Sequence, residues 1–110
     1  MAGGYLGEFE QLILFALLRF APGEAYGVTI RREIERRTGR DISAGALYTA
    51  LERLEARGLV RSRWGAPTPE RGGKRKKHYE IQPAGVRALG RSYETIRAMA
   101  RGLAPKLETT

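Results

Sequence analysis

The stretch SAGALYTALERLEARGLVRSRW, Ser43–Trp64, sets the architecture, because its hydrophobic period changes from helical to extended within a few residues. Up to Arg57 the apolar residues recur at the spacing of one helix face, and they are Ala46, Leu47, Ala50, Leu51 and Leu54. Ser43 is a favourable N-cap, and Gly58 is a favourable stop. From Val60 onward the apolar period is two, as in a strand. The stretch therefore predicts a helix that leads directly into a strand.

A second strand follows after a loop, so that the two strands form a hairpin. Val60, Ser62 and Trp64 face one side of the first strand, while Leu59, Arg61 and Arg63 face the other. The range 65–73 contains two prolines and several glycines, which favours a loop. Alternation resumes at Lys77, Tyr79 and Ile81, with Tyr79 pointing inward. The loop and second strand carry a basic cluster, defined as Arg71, Lys74, Arg75, Lys76 and Lys77. Like charges at this density repel one another unless an anion binds there.

Two helices precede the quoted stretch. The first is predicted over Glu8–Phe20 and the second over Tyr26–Thr38, where Glu33 and Arg37 are spaced to form an ion pair. The middle of the first helix is apolar on almost every side because of Leu14, Phe15 and Leu18. A helix of this kind must be covered on every side. In a chain of 110 residues the expected cover is a second subunit.

The last helix is predicted over 83–104, roughly 33 Å at 1.5 Å per residue, with Pro105 ending or kinking it. Its apolar residues follow a heptad spacing, which is typical of a helix buried against another helix: Val86, Leu89, Tyr93, Ile96, Ala100 and Leu103. Since nothing remains in the chain to cover them, we expect a homodimer held by these residues together with Phe15 and Leu18. The predicted domains are 1–82, which contains the three helices and the hairpin, and 83–110, which dimerises.

Composition excludes several classes of function. The chain has 20 Lys and Arg against 12 Asp and Glu, a net charge of +8, and no cysteine. A basic surface favours nucleic acid as the partner, and the lack of cysteine excludes disulfides, thiolate metal sites and thiol catalysis. Ser43, His78 and Asp41 show no spacing that indicates a catalytic set. We expect no enzyme, no cofactor and no metal. Without a signal sequence or membrane span, a cytoplasmic protein is expected.

Three helices followed by a hairpin with a basic tip are the element order of a winged helix-turn-helix, whose third helix enters the DNA major groove. Three segments also resemble the PadR-like transcriptional regulators: AYGVTIRREIERRTG (25–39), SAGALYTALERLEARGLVRSRW (43–64) and RGGKRKKHYEIQPAG (71–85). The resemblance implies a mainly α fold with a small β-hairpin and a C-terminal dimerisation helix. It also implies a repressor, in some members relieved by a phenolic or other apolar small molecule. The chain departs from the family at Thr49, where proline is usual, and at Gln82, where threonine is usual.

The predicted DNA-binding residues form two groups. Ser43, Gly45, Tyr48 and Thr49 lie on the exposed face of the third helix, and the basic cluster lies on the wing. Tyr48 either contacts DNA or braces the helix. Arg53 either reaches a phosphate or pairs with the glutamates beside it.

The sequence leaves further alternatives open. Arg31 and Arg32 of the second helix are alternative phosphate contacts. A flat hydrophobic effector is expected between the subunits, lined by Phe15, Trp64, Tyr93 and Met99, although a lone tryptophan at a strand end more often packs on a helix. The alternative function is a basic RNA- or ribosome-associated protein. It is disfavoured because the major groove of double-stranded RNA is too narrow for a helix.

Overall fold

The computed structural model describes residues 5–66 and 75–108, which form five helices and one two-stranded sheet. The elements in chain order are α1 (Glu8–Leu18), α2 (Gly27–Thr38), α3 (Ala44–Ala56), β1 (Val60–Trp64), β2 (Lys77–Ile81), α4 (Pro83–Ala100) and α5 (Ala104–Leu107). The fold is mainly α with an antiparallel hairpin, as the sequence predicts. The first helix ends two residues earlier than its apolar pattern indicates.

Local chemistry sets the limits of α2 and α3. Ser43 adopts an extended conformation, and its Oγ accepts a hydrogen bond from the Ala46 N–H at 3.1 Å, so it caps α3 as expected. Gly39 and Gly58 follow α2 and α3 with φ of 75° and 76°. This left-handed conformation favours glycine and turns the chain away from the helix axis. The turn after Gly58 brings the chain directly into β1.

The core lies among α1, α2 and α3, where six apolar side chains are fully buried. They are Ile13, Leu14, Ile30, Leu47, Leu51 and Leu54. One predicted orientation is wrong. Ala46 is exposed, because the buried side of α3 is centred on Leu47, Leu51 and Leu54 and position 46 lies at the edge of that side. Leu59 is buried, because it lies in the turn before β1, where the strand alternation has not yet begun.

The hairpin is attached to the helical core along β2. Ser62 pairs with Tyr79 and Trp64 with Lys77 across the two strands. Tyr79 is buried, as its alternation predicts. The Tyr79 N–H donates to the Ala25 carbonyl at 2.9 Å, so the residues before α2 pair with β2 on the side away from β1. This pairing holds the start of α2 next to β2.

The first half of α4 packs on α1 and belongs to the core of its own chain. Leu89 is only 3% exposed, so the expectation that it joins a dimer seam is wrong. Leu89 is buried within its own chain because the first half of α4 approaches the hairpin closely. Gly85 is buried and lies against the Leu59 carbonyl oxygen, where a side chain would not fit. Leu14, expected to need a partner subunit, is likewise covered within the chain.

The end of α4 also differs from the prediction. The helix stops at Ala100, four residues before the predicted end, and Gly102 follows it with φ of 83°. Pro105 does not end α4 and instead lies in the first turn of the short helix α5. Leu103 therefore lies outside α4, at the N-cap of α5, and does not continue the heptad seam.

Two glycines of α4 give a matched test of this packing. A Cβ at position 85 would overlap the Leu59 carbonyl oxygen and lie 2.8 Å from Ile81 Cγ1, whereas a Cβ at position 90 would meet nothing within 4 Å. We expect Gly85→Ala to lower the free energy of unfolding by about 1–3 kcal/mol through overpacking. Gly90→Ala should raise it by about 0.5–1 kcal/mol through helix propensity. Urea unfolding at one protein concentration measures both, and equal effects at the two positions would contradict the packing.

Candidate nucleic-acid interface

The N-terminal half of α3 has a polar face that is exposed to solvent. Ser43, Gly45, Tyr48 and Thr49 are all exposed. No atom lies within 4 Å of the position that a Cβ at Gly45 would take, so internal packing does not require this glycine. The open space there lets a backbone or base edge approach the first turn of α3. The free amide groups of a helix N-terminus favour negative charge at such a position.

Tyr48 both braces α3 and remains accessible. The side chain is 44% exposed. Its hydroxyl oxygen lies against Gly27, the first residue of α2. A side chain at position 27 would overlap this oxygen, so the contact requires a glycine there. The bracing role, an alternative in the sequence, is therefore present in the structure. The exposed part of the ring leaves a DNA contact as a prediction.

Three described members of the basic cluster lie on aromatic rings. The Lys76 Nζ is 4.2 Å from the centroid of the Tyr26 ring and donates to its hydroxyl at 3.2 Å. The Arg75 guanidinium and the Lys77 Nζ lie 6.0 Å and 5.6 Å from the Trp64 centroid. Arg71 and Lys74 fall outside the described residues. The loop end of the hairpin, which we call the hairpin base because the wing loop begins there, therefore carries three adjacent cations held by two rings.

Several arginines elsewhere in the described chain are paired with carboxylates. Arg61 and Arg63 both bind Glu80, at 2.9 Å and 3.2 Å, and their hydrogen bonds hold the pKa of that carboxyl below its usual range. Hydrogen bonds from Arg37 and Arg36 likewise lower the pKa of Glu33, which confirms the predicted pair on α2. Within residues 5–66 and 75–108, the three cations at the hairpin base form no such ion pair. Among the described residues, the positive charge there is therefore not paired with a carboxylate.

A cleft of about 470 Å³ separates α3 from the hairpin. Its lining combines aromatic rings, the three cations and two acids, and comprises Tyr26, Gly27, Val28, Tyr48, Glu52, Glu55, Trp64, Arg75, Lys76, Lys77 and Tyr79. Glu55 is occupied, because it accepts hydrogen bonds from Ser62 N–H at 3.2 Å and Ser62 Oγ at 2.7 Å. Burial at the floor of the cleft raises the pKa of the Tyr79 hydroxyl to about 12.

Trp64 does not pack on a helix, so that prediction is wrong. The side chain is 56% exposed, because β1 carries it past the helical core to the level of the basic cluster. The cleft that Trp64 lines contains none of the other predicted ligand-binding residues, Phe15, Tyr93 and Met99. Of those three, Phe15 and Tyr93 meet edge-on, with ring centroids 6.4 Å apart.

The alternative arginine contacts are separated by the structure. The Arg31 Nε donates to the Ile42 carbonyl at 2.8 Å, so this side chain ties α2 to the turn before α3. Arg32 is exposed and stays a candidate phosphate contact. Arg53 is exposed and forms no ion pair with another described residue, so its expected pairing with the adjacent glutamates is not present.

An apolar patch lies on the outer side of α1 and α4, facing away from the core. It consists of exposed side chains of these two helices, and its members are Phe15, Leu18, Val86, Tyr93, Ile96 and Met99. Ile96 is 62% exposed. The second half of α4 therefore extends beyond the part that α1 covers. An apolar surface of this extent is typical of a protein interface.

Tyr26 is the residue of this region that sequence reasoning missed. It looks like the start of a helix in the sequence, and it is 50 residues away from Lys76, whose Nζ it holds. No local pattern predicts this contact, because it depends on the pairing of residues 25–26 with β2.

Two properties of the described residues bear on other functions. No helix among them has the combined length and apolar character needed to cross a membrane. In those same residues, no three His, Asp or Glu side chains are grouped so that they could hold a metal ion.

The fold and this surface define a winged helix-turn-helix protein: three helices, a hairpin after α3, and an exposed α3 face next to the cations of the hairpin. The model of the PadR-like transcriptional regulator family matches residues 14–91, and the chain belongs to that family. The members of this family are transcriptional regulators.

Solved structures agree with this assignment. A PadR family transcription regulator from Clostridium difficile is 25% identical with a TM-score of 0.74, covering 92% of this chain and 99% of its own. A transcriptional regulator from Clostridium thermocellum is 29% identical with a TM-score of 0.68, covering 84% and 85%. A PadR family regulator from Eggerthella lenta is 28% identical with a TM-score of 0.66, covering 94% and 88%.

A sequence relative is an uncharacterised 37.1 kDa protein in a transposon of Streptomyces fradiae. It is 35% identical over 93 residues, which is 84% of this chain. The chain spans about a quarter, 24%, of that protein's length.

Proposed function

We propose that this regulator is a repressor that binds a pseudo-palindromic DNA operator as a homodimer. The observation that carries the proposal is the placement of an exposed α3 N-terminal face beside three cations at the hairpin base that form no ion pair with any other described residue. A groove contact and a backbone contact are then available from one surface. That combination is what a sequence-specific DNA reader needs.

The two groups of predicted residues divide the work. Phosphate contacts supply affinity without sequence information, and base contacts supply specificity. The basic cluster is suited to the first task. Ser43, Gly45, Tyr48 and Thr49 are suited to the second, because their side of α3 is exposed.

The homodimer is supported by the apolar patch. Ile96 and Met99 project from a part of α4 that α1 does not cover, and a second copy of the chain offers them a matching surface. A two-fold dimer would present two α3 helices about 34 Å apart, which suits half-sites one helical turn apart. The same patch would accept a hydrophobic effector between the subunits, near Phe15, Tyr93 and Met99. A change in dimer affinity for operator DNA on adding such a ligand would test this role.

Binding measured across a salt series tests the division of work on DNA. Replacing Lys74 and Arg75 with Ala should weaken operator and random DNA alike, and lower the log–log salt slope by about 0.9 for each phosphate contact that the substitution removes. Replacing Tyr48 or Thr49 with Ala should cost on the order of 1–3 kcal/mol on the operator and little on random DNA. A Lys74/Arg75 variant that loses only operator binding and keeps its salt slope would contradict the division.

Sedimentation of two charge-matched variants tests the dimer. Ile96→Glu places a carboxylate in the apolar patch, and we expect it to yield monomers at micromolar concentration because a buried charge is costly. Ala98→Glu adds the same charge two residues on, which is the opposite side of α4, and should leave the dimer intact. A monomeric unmodified protein, or equal behaviour of the two variants, would rule out this interface.

A further inference from the structure

Among the described residues, the three cations of the hairpin base are held in place without an ion pair. Elsewhere among the described residues, carboxylates position arginines and offset part of their charge, as Glu80 does for Arg61 and Arg63. Arg75, Lys76 and Lys77 are instead positioned by the rings of Trp64 and Tyr26. An aromatic face attracts a cation through its quadrupole and carries no net charge of its own.

We propose that the cleft between α3 and the hairpin is a binding site for the DNA sugar–phosphate backbone, in which Trp64 and Tyr26 are positioning residues that hold Arg75, Lys76 and Lys77 ready for phosphate. The proposal rests on the proposed DNA-binding function and adds a specific site to it. The two aromatic residues act through the cations.

The energetic reason is preorganisation. A free lysine or arginine side chain loses rotamer freedom when it is fixed against a ligand. A ring that already fixes the cation removes part of this cost from the binding step. A carboxylate would fix the cation equally well, but the phosphate would then have to displace it. The rings therefore order the charges and leave them available to a polyanion.

The fold builds both platforms from long-range pairing. Trp64 lies directly across the hairpin from Lys77, so the strand register places this cation beside the ring. The Arg75 Nε donates to the Gly65 carbonyl at 2.8 Å, which orients its guanidinium on the same ring. Tyr26 is placed by the pairing of residues 25–26 with β2, and its backbone N–H donates to Thr29 Oγ1 at 3.0 Å.

The acidic residues of the cleft determine which of its two walls attracts an anion. Glu52 and Glu55 are on the α3 side, and the cations are on the hairpin side. Glu55 is satisfied by Ser62, whereas Glu52 has no hydrogen-bond or ion-pair partner among the described residues. A phosphate is repelled from the Glu52 wall and attracted to the hairpin wall. The backbone would therefore run along the hairpin base while α3 enters the adjacent groove.

Variants of Trp64 test the platform. Because Trp64 is more than half exposed, Trp64→Leu should keep the fold, which thermal melting would verify. We expect Trp64→Leu to weaken binding of operator and random duplexes alike by about threefold to tenfold, with a smaller salt slope, since it removes the ring that positions Arg75 and Lys77. Trp64→Phe retains a ring and should restore most of the affinity and slope.

Two variants that each remove one positive charge distinguish a specific effect of this site from a general effect of the hairpin's charge. Lys77→Gln removes a cation from the Trp64 ring, and Arg61→Gln removes one that is ion-paired with Glu80, while Arg63 still pairs with that carboxylate. Lys77→Gln should reduce affinity severalfold and lower the salt slope, and Arg61→Gln should change both little.

Three results would overturn the inference: unchanged binding by Trp64→Leu, a loss confined to the operator, or equal effects of Lys77→Gln and Arg61→Gln. The unmodified protein separates the two claims. If it binds no duplex DNA at any salt concentration, the proposed function itself fails. If it binds and the variants behave alike, only the cleft site fails.

Discussion

The attachment of the hairpin to the helical core determines which side chains can share one surface. It is made by Tyr79, whose side chain is buried and whose N–H donates to the Ala25 carbonyl at 2.9 Å. On the other strand, Ser62 binds Glu55 of α3 through both its N–H and its hydroxyl. These contacts fix the hairpin relative to α2 and α3. They bring Trp64, Tyr26 and Tyr48 to one cleft, although the three residues are far apart in sequence.

Ion pairing determines which positive charges of the chain stay available for binding. Carboxylates form ion pairs with arginines on α2, on the outer face of the hairpin and on α4. The cations at the hairpin base have no such partner among the described residues. A chain with a net charge of +8 thereby places available positive charge beside α3. Fields of this kind raise the rate of encounter with a polyanion and orient it on the surface.

Elements with local signals were predictable from the sequence, and contacts between distant elements were not. Capping at Ser43 and Gly58 indicated the limits of α3, and the alternation around Tyr79 indicated the buried face of β2. The heptad spacing of α4 did not reveal that Leu89 packs within its own chain, because spacing identifies the apolar face of a helix and not its partner. Trp64 was misplaced for the related reason that its environment comes from the hairpin register. In the candidate site, Tyr26 could not be predicted, since its contact with Lys76 crosses 50 residues.

If α3 and the hairpin base form one DNA-binding face, a nuclear magnetic resonance titration with a short duplex should show both responding together. Trp64 is the only tryptophan in the chain, so its indole N–H provides a single unambiguous signal from the cleft. We expect this signal to shift together with the backbone amides of residues 43–49 and 75–77, while those of residues 96–100 stay unchanged. Shifts confined to α4, with the Trp64 and α3 signals unmoved, would contradict a shared face.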